Sequence, residues 1–345
     1  MPQVSTVILH PSDCAELAEF FSTQTHEPAA DMLPRLTWLA QNPARRDDVP
    51  FAWGVRDAGG RLLGAMLCVP YRFVVGSRTE WFLMSSGFYV DAAVRGAGVQ
   101  IFLRYRSLAG EFVLYASTAN EQTAKLWQAA GGAPIRKTDY ELLRPIRWAP
   151  VVEDVVARRF GPAARLVAAA ARPFDAMLAG RRRRGPDEYL SEVANPSDAA
   201  VASGSGEAPE VVRDADFLRW RYVQAPHTEA RLYRFAAPPL KADGFVAVTT
   251  ARRGYRSQVR CLYVADVWGR VPSEAFPTLL GSLADRHASS ADLIALRSLP
   301  DAYEAAARRA GFMSRPFTCP VGWSIDQRHV LGEGWRLPAA GSELV

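Results

Sequence analysis

Short apolar runs and helically spaced apolar residues alternate along the first half of the chain. The runs are bounded by glycine, proline and polar turns, which predicts strands, while the helical spacing predicts intervening helices. The predicted strands are residues 4–9, 51–56, 62–69, 80–84, 88–90 and 111–116. The predicted helices are residues 15–21, 31–42, 99–105 and 120–130. This mixture predicts an α/β fold built on a mixed sheet.

The same order returns in the second half. The predicted strands there are residues 231–235, 244–249, 260–267 and 292–296, and the predicted helices are 214–222, 274–286 and 301–309. Between the halves, residues 151–178 are alanine-rich with helical spacing, and residues 196–209 are small and polar, as in a flexible linker. The pattern predicts an N-terminal domain at 1–150, a helical basic segment and linker at 151–210, and a C-terminal domain at 211–345.

One stretch, residues 88–104, joins an apolar strand to a helix through a glycine-containing turn. The turn reads Arg95-Gly96-Ala97-Gly98, and the helix places Ile101, Phe102 and Tyr105 on its apolar side. Glycines let the backbone approach a bound group, and the first amides of a helix have no helical partners. Such a turn can therefore bind an anion such as a diphosphate. Taken alone, it is equally consistent with an ordinary strand-to-helix connection.

Two segments in the first half resemble signatures of the GNAT superfamily of acyl-CoA-dependent N-acyltransferases. Val90 to Gly98 resembles V-x-P-x-x-R-G-x-G, and Asn120 to Gly131 resembles N-x-x-A-x-x-L-Y-x-x-x-G-F. The resemblance covers residues 1–150. The second half looks like a divergent copy, whose last predicted helix ends at Gly311-Phe312. It implies a tandem protein of two GNAT-like domains. In the second copy Pro272 removes an amide that a phosphate would use, so that domain is not expected to hold a pyrophosphate.

The resemblance implies that acetyl-CoA or another acyl-CoA binds the first domain. The matching positions are Phe88, Tyr89, Val90, Arg95, Gly96, Ala97, Gly98, Val99, Gln100, Asn120 and Trp127. Asn120 would also serve as a helix N-cap. Two positions depart from the family pattern, because Gln100 replaces a small residue and Trp127 replaces a tyrosine that protonates the leaving thiolate. An indole N–H donates a hydrogen bond, but it is not a proton donor near neutral pH.

Candidates for proton transfer are less well defined. Tyr115 ends a predicted strand and is a candidate acid, although it could equally be a packed strand aromatic. Glu80 and Ser86, with Ser85 and Asp91, are candidates for the acceptor side, and Glu80 could be only a strand-edge charge. The five histidines lie outside both signatures, and the sequence has no Ser-His-Asp or metal-ligand arrangement.

The charge and the cysteine content limit the binding partners and the cellular locations that are consistent with the sequence. The net charge of +5 is carried mainly by arginine, including the run Arg181 to Arg184. That run is open to three interpretations: a solvated helix end, peripheral contact with a membrane surface, or nucleic-acid binding. Nucleic acid is the least favoured, since no aromatic-and-basic module accompanies the run. Scattered cysteines, no leader pattern and no apolar run of about 20 residues make the cytoplasm the expected location.

The sequence therefore predicts an N-acyltransferase that acts on a small amine or amino sugar. The first domain would bind the cosubstrate and the second would complete the acceptor pocket. A non-catalytic acyl-CoA-binding or assembly protein, with Gln100 and Trp127 marking a lapsed site, is the main alternative. A protein-lysine acyltransferase is a third hypothesis. The aromatic residues Phe217, Trp220 and Tyr222 are predicted to pack in a core, with sugar stacking as the alternative.

Overall fold

The computed structural model divides the chain into two compact units. Unit 1 comprises Met1–Asp139, Ala200–His227 and Cys319–Val345, and unit 2 comprises Tyr140–Ala199 and Thr228–Thr318. The structure describes residues 3–135, 138–160, 167, 169–171, 173, 175, 187–200, 209–226, 229–253, 259–316 and 321–327. The run Arg181 to Arg184 lies outside the described residues.

The described elements follow the predicted order closely. The helices are α1 (Cys14–Thr25), α2 (Ala29–Ala40), α3 (Ala97–Arg106), α4 (Glu121–Ala129), α5 (Trp148–Phe160), α6 (Ala215–Tyr222), α7 (Phe276–Arg286) and α8 (Asp301–Arg309). The strands of the first half are β1 (Val4–Leu9), β2 (Ala52–Asp57), β3 (Leu62–Val75), β4 (Arg78–Val90), β5 (Val113–Ala119), β6 (Ala133–Pro134) and β7 (Tyr140–Pro145). The later strands are β8 (Leu190–Glu192), β9 (Glu210–Val211), β10 (Ala230–Ala237), β11 (Ala242–Arg253), β12 (Val259–Arg270), β13 (Leu293–Arg297), β14 (Met313–Pro316) and β15 (Val321–Ile325).

Unit 1 is built on a mixed sheet with the strand order β1-β2-β3-β4-β5-β15-β6. Strands β1 to β4 form an antiparallel meander, and β4 and β5 are parallel. Strand β9 adds to the far end of β3, opposite Phe73 and Val74. The β3–β4 hairpin turns at Gly76, whose φ of 61° favours glycine.

Both faces of this sheet carry buried aromatic side chains. On one face, Ile101, Phe102 and Tyr105 of α3 pack with Leu83 and Leu114 of the sheet. Because successive side chains of a strand alternate between faces, Phe82 and Tyr115 point to the opposite face, where Tyr71 contacts Tyr115. The sheet is therefore a central layer with a core on each side.

Unit 2 has its own mixed sheet with the order β14-β7-β13-β12-β11-β10-β8. As in unit 1, an antiparallel meander leads to one parallel pair, here β12 and β13. Helices α7 and α8 contribute Phe276, Leu279, Leu283 and Ala306 to the core of this unit. The two sheets thus repeat one topology, as expected from the repeated order of elements.

The next-to-last strand of each sheet comes from the other half of the chain. Strand β7 lies between β13 and β14 in the sheet of unit 2, and β15 lies between β5 and β6 in the sheet of unit 1. The units therefore depart from the contiguous ranges 1–150 and 211–345 expected from the sequence. Local patterns identify strands but not distant partners, which explains the difference.

Candidate active site

The parallel strands β4 and β5 separate part of the way along their length. Their pairing covers Phe82–Ser85 and Val113–Ala116, whereas β4 continues to Val90 and β5 to Ala119. We call the region beyond the last pair the split, and the Ser85–Ala116 pair its apex. Along the split, the edge of β4 that faces β5 does not pair with it in the described register, so its backbone groups are available for another partner.

A bulge in β4 accompanies the split. Ala65 pairs with Tyr89 and Leu67 with Ser86, so two residues of β4, Gly87 and Phe88, face Met66 alone. Gly87 has a φ of 55°, which a residue with a side chain rarely adopts. Bulges of this kind bend a strand and end its pairing on one side. The bulge therefore explains why β4 turns away from β5 at this point.

Helix α3 begins beside the end of β4, and Gly98 allows their close contact. A Cβ atom at Gly98 would lie 3.2 Å from Val90 Cγ2 and 3.5 Å from Phe88 Cζ. The amide of Gly98 donates to the carbonyl of Arg95 at 3.1 Å, and that of Val99 to Gly96 at 3.3 Å. Two of the amides predicted for anion binding thus have partners within the turn. The amides of Arg95, Gly96 and Ala97 lie at the start of α3, where backbone N–H groups have no partner one turn earlier in the same helix.

The side chains of this turn face solvent or a neighbouring strand. Arg95 is exposed at the start of the helix. The Gln100 side chain accepts a hydrogen bond from Thr6 Oγ1 of β1, with 3.3 Å between Thr6 Oγ1 and Gln100 Oε1. This contact directs the Gln100 side chain toward β1.

Two aromatic side chains lie next to the apex on the α3 side. The hydroxyl of Tyr105 donates to the carbonyl of Leu83 on β4 at 2.5 Å and lies 3.2 Å from the carbonyl of Tyr115 on β5. Burial raises the pKa of Tyr105 well above its usual value. Trp127 of α4 packs edge-on against Phe102 and Tyr105, with ring centroids 5.4 and 6.0 Å away. Trp127 is fully buried rather than exposed to a groove.

Two serines follow the last pair on the opposite face of the sheet. Ser86 on β4 and Ser117 on β5 are both nearly buried, and strand alternation places them on the same face. Ser86 was expected at the site, whereas Ser117 and the Tyr105 hydroxyl were not. Tyr105 could be predicted only as a core residue, because its hydroxyl contacts strands that are distant in sequence.

Tyr115 and Glu80 do not lie in the split, in contrast to their expected roles. The Tyr115 ring is 1% exposed and packs against Tyr71 and Phe82, with centroids 6.3 Å away in each case. Burial raises the pKa of Tyr115 well above its usual value, which makes it a poorer acid. Glu80 precedes the paired segment and lies about 17 Å along the strand from Ser85. The structure thus favours core packing for Tyr115 and a strand-edge position for Glu80.

The remaining predicted positions have ordinary structural contacts. Asn120 Oδ1 accepts hydrogen bonds from the amide and the hydroxyl of Thr123, both at 2.9 Å, so Asn120 is the N-cap of α4. Phe88 and Val90 pack against the α3 core, and Tyr89 contacts Phe21 edge-on at 5.9 Å. The aromatic residues of α6, namely Phe217, Trp220 and Tyr222, are all buried, as the packing interpretation predicted.

The corresponding region of unit 2 has a different helix start. Helix α7 begins at Phe276 and carries Pro277 in its first turn, where proline has no N–H to offer. At Gly244, opposite the end of β12, a Cβ atom would lie 2.6 Å from the carbonyl oxygen of Trp268. The expected absence of a pyrophosphate site in the second half stays a prediction.

Comparison with known proteins identifies the fold through solved structures. No family model and no curated protein matches the chain. A conserved protein of unknown function and probable N-acyltransferase from Enterococcus faecalis V583 aligns with a TM-score of 0.59 and 11% identity, over 93% of this chain and 72% of that one. A GCN5-related N-acetyltransferase from Anabaena variabilis aligns with a TM-score of 0.56 and 9% identity, over 93% and 72%. N-myristoyltransferase from Saccharomyces cerevisiae, solved with myristoyl-CoA, gives 0.55 and 9%, over 94% and 79%.

These similarities concern the fold alone, because the sequence identities are far below 25%. They extend over nearly the whole chain, so the expected tandem GNAT-like fold is confirmed. Within the described residues, no helix is both long and apolar enough to cross a membrane. The described residues also contain no group of three or more His, Cys, Asp or Glu side chains that could hold a metal ion.

Proposed function

We propose that unit 1 binds an acyl-CoA in the split between β4 and β5, and that the protein transfers the acyl group to an amine. The observation that carries this proposal is the split itself, with a bulge at Gly87 and a helix start at its open end. The two ends of the site offer different chemistry. One end suits an anion, and the other is enclosed by aromatic side chains.

The open end would hold the diphosphate. The amides of Arg95, Gly96 and Ala97 lie at the start of α3, where the helix dipole also favours negative charge. The exposed Arg95 guanidinium can pair with a phosphate oxygen. Close packing of Gly98 on Val90 keeps the helix start near the strand.

The edge of β4 would hold the amide-containing arm. Val90 to Ser86 spans about 13 Å of strand, and its carbonyls and amides can pair with an extended arm as a neighbouring strand would. The thioester would then lie at the apex, near Ser85 and Ser86. A thioester supplies an activated acyl carbon and a thiolate leaving group. The chain would contribute mainly orientation and hydrogen bonds.

The acyl group is proposed to be short, acetyl being the simplest case. Behind the apex, Tyr105 and Trp127 fill one face of the sheet and Phe82 and Tyr115 the other, all fully or almost fully buried. A long acyl chain would have to displace these rings. The acceptor is proposed to be a small amine or an amino sugar, and the cytoplasm remains the expected location. Ser86 and Ser117 would face the acceptor through their hydroxyl groups.

A non-catalytic acyl-CoA-binding protein is the second candidate. It is favoured by one observation, the burial of Tyr115 in the core away from the split. The Tyr115 ring packs against Tyr71 and Phe82, and Glu80 lies about 17 Å along the strand from Ser85. In this alternative the split would bind the cosubstrate without turnover.

Release of free CoA from acetyl-CoA, measured against a panel of small amines and amino sugars, separates the two candidates. If the proposal is correct, free CoA is released faster in the presence of an acceptor than by hydrolysis of acetyl-CoA without one. Gly98→Trp, which fills the helix start, is expected to abolish that rate, whereas Gly110→Trp, at a position with open space, is expected to retain it. Saturable acetyl-CoA binding with no turnover on any acceptor would favour the second candidate.

A further inference from the structure

The hydroxyl of Tyr105 connects β4 and β5 close to the point where the two strands separate. It donates to the carbonyl of Leu83 on β4 at 2.5 Å and also contacts the carbonyl of Tyr115 on β5 at 3.2 Å. A phenol has a single O–H donor, so the two carbonyls share one proton. We call this contact the Tyr105 bridge. The backbone pairing of the two strands ends one to two residues further along, at Ser85 and Ala116.

The bridge is formed by a side chain that the core holds in place. The Tyr105 ring is fully buried and packs against Phe102 and Trp127, with ring centroids 6.4 and 6.0 Å away. Burial raises the pKa of its hydroxyl well above the usual value, although nearby backbone groups of Tyr115 and Ser85 act in the opposite direction. The hydroxyl therefore stays protonated, and remains a donor, across the neutral pH range. A hydrogen bond in the interior is also stronger than one in water.

The bridge and the bulge of β4 act on opposite sides of the apex. Beyond the apex, the bulge at Gly87 bends β4 away from β5. The hydrogen bonds at the end of a strand pair are normally the ones that open most easily. Before the apex, the bridge ties the strands together through a side chain of α3, in addition to their own backbone pairing. A contact from outside the sheet thus holds the residue at which the strands part.

We propose that Tyr105 is a positioning residue that fixes the depth of the split and thereby selects a short acyl group. This inference rests on the proposed function and adds the residue that sets the acyl length. A longer acyl chain that continues along the split must pass Ser85, which requires the last strand pairs to open. The bridge opposes this opening, because it holds both strands just before the apex. The thioester of a short acyl-CoA then stops at one position, as transfer to an amine requires.

Hydrogen exchange tests the bridge without any ligand. Tyr105→Phe keeps the ring and removes only the hydroxyl. The amides of the paired segments, Phe82–Ser85 and Val113–Ala116, are expected to exchange about tenfold faster in this variant than in wild type, because their strands open more often. The amides of the β1–β2 pair should exchange at the wild-type rate. Residue-resolved exchange on the two folded proteins makes this comparison.

The preference for acyl length tests the functional consequence. Titration calorimetry with acetyl-CoA and hexanoyl-CoA should show tighter binding of acetyl-CoA by wild type, and Tyr105→Phe should reduce this preference roughly tenfold. In turnover of acetyl-CoA, Tyr105→Phe should lower kcat roughly tenfold and change KM less than about twofold. The reason is that the contacts proposed for the diphosphate and the amide-containing arm are retained, whereas the thioester is positioned less exactly.

Tyr71 provides a matched control. It lies on β3 of the same sheet, with its ring against Tyr115 on the face opposite α3, and its hydroxyl is buried without a hydrogen-bond partner among the described residues. Tyr71→Phe therefore makes the same chemical change at a buried tyrosine without removing a contact between strands. Exchange at the apex and the preference for acetyl-CoA should both stay at their wild-type values. An equal loss of preference in the two variants would overturn the proposal, as would an unchanged preference in Tyr105→Phe.

Outcomes with wild type alone separate this inference from the proposed function. Binding of no acyl-CoA by wild type would overturn both, whereas equal affinity for acetyl-CoA and hexanoyl-CoA would overturn this inference alone. If Tyr105→Phe does not fold, hydrogen exchange of wild type saturated with each compound decides. Bound hexanoyl-CoA should leave the amides at Ser85 and Ala116 exchanging faster than bound acetyl-CoA does, because its chain separates the strands. Equal exchange in the two complexes would overturn the proposal.

Discussion

Trp38 and Trp220 each donate an indole hydrogen bond to the other's backbone carbonyl. Trp38 Nε1 lies 2.7 Å from the carbonyl oxygen of Trp220, and Trp220 Nε1 lies 2.8 Å from that of Trp38. Their rings stack with centroids 4.7 Å apart and an interplanar angle of 13°. The two residues are 182 positions apart in the chain, and the pair joins α6 to α2 within unit 1. It holds residues 215–222 in the first unit, although the sequence suggested that they belong to the second.

Replacing either tryptophan by phenylalanine should destabilise the protein. Trp38→Phe leaves the Trp220 carbonyl without its indole donor and should cost about 2 kcal/mol of unfolding free energy. Trp220→Phe should cost about 1 kcal/mol, because the Trp38 carbonyl still accepts from the Gln41 amide at 3.1 Å. The double variant should lose less than the sum of the single variants, by about 1 kcal/mol, because the stacked pair is disrupted by either change. Urea denaturation of the three variants measures this coupling. Strictly additive losses would contradict the mutual contact.

The bulge at Gly87 should matter for binding as well as for stability. Alanine at a positive φ costs about 1 kcal/mol, so Gly87→Ala and Gly60→Ala, with φ of 55° and 84°, should both lower the unfolding free energy. Only Gly87→Ala should weaken acetyl-CoA binding, by about tenfold, because only that residue shapes the edge of the split. Denaturation and calorimetry on the same preparations separate the two effects. Equal affinities for the two variants would mean that the bulge does not shape the site.

The buried carboxylate of Glu141 should be important for the stability of unit 2. It is 1% exposed and accepts hydrogen bonds from Arg253 at 2.5 and 2.9 Å, with Arg297 Nη2 3.7 Å from Oε2. Because Glu141→Gln leaves a buried arginine charge poorly paired, we expect a loss of about 3 to 5 kcal/mol in unfolding free energy.

The exposed pair of Asp243 with Arg234 provides the comparison for Glu141. Its closest contact is 3.0 Å, and both side chains are about half exposed. Asp243→Asn should cost less than about 1 kcal/mol, since water screens such pairs. Thermal denaturation ranks the two variants, and similar losses would show that burial does not set the strength of the Glu141 contacts.

Acid should destabilise unit 2 through His287. The ring is buried between the Tyr233 hydroxyl, 3.1 Å from Nε2, and Ser290 Oγ, 3.3 Å from Nδ1. Burial, followed by the nearby charges of Arg231 and Arg286, lowers the pKa of His287 from 6.5 to about 4, with Glu192 acting in the opposite direction. The unfolded chain therefore takes up the proton first as the pH falls.

Neutral His287 contributes fully to the free energy of unfolding above about pH 6.5. This contribution, about 3 kcal/mol in total, is lost as the pH falls toward 4. Urea midpoints measured across this range should fall more steeply for wild type than for His287→Gln. His26→Asn, which removes a histidine at an exposed position, is the control variant. Parallel slopes for wild type and His287→Gln would rule out this source of acid sensitivity.

Most helices and strands were predicted from local sequence signals, whereas the pairing of strands that are distant in sequence was not. Helix α8 was predicted at its observed bounds, 301–309, because its apolar spacing and the glycine that follows it are local features. Strands β7 and β15 were missed, since each is short and depends on a partner strand from the other half of the chain. The turn at residues 95–98 that leads into α3 was predicted, whereas the bulge at Gly87 was not, because a glycine within a strand does not reveal its φ.

The central claim is that the turn at residues 95–100 and the adjoining split bind acyl-CoA. Titration calorimetry of acetyl-CoA and longer acyl-CoAs tests it, using wild type, Gly98→Trp and the matched Gly110→Trp. The account predicts saturable acetyl-CoA binding by wild type and Gly110→Trp, weaker binding of the longer acyl-CoAs, and no binding by folded Gly98→Trp. Absence of binding by wild type to every acyl-CoA, or unchanged binding by Gly98→Trp, would contradict it.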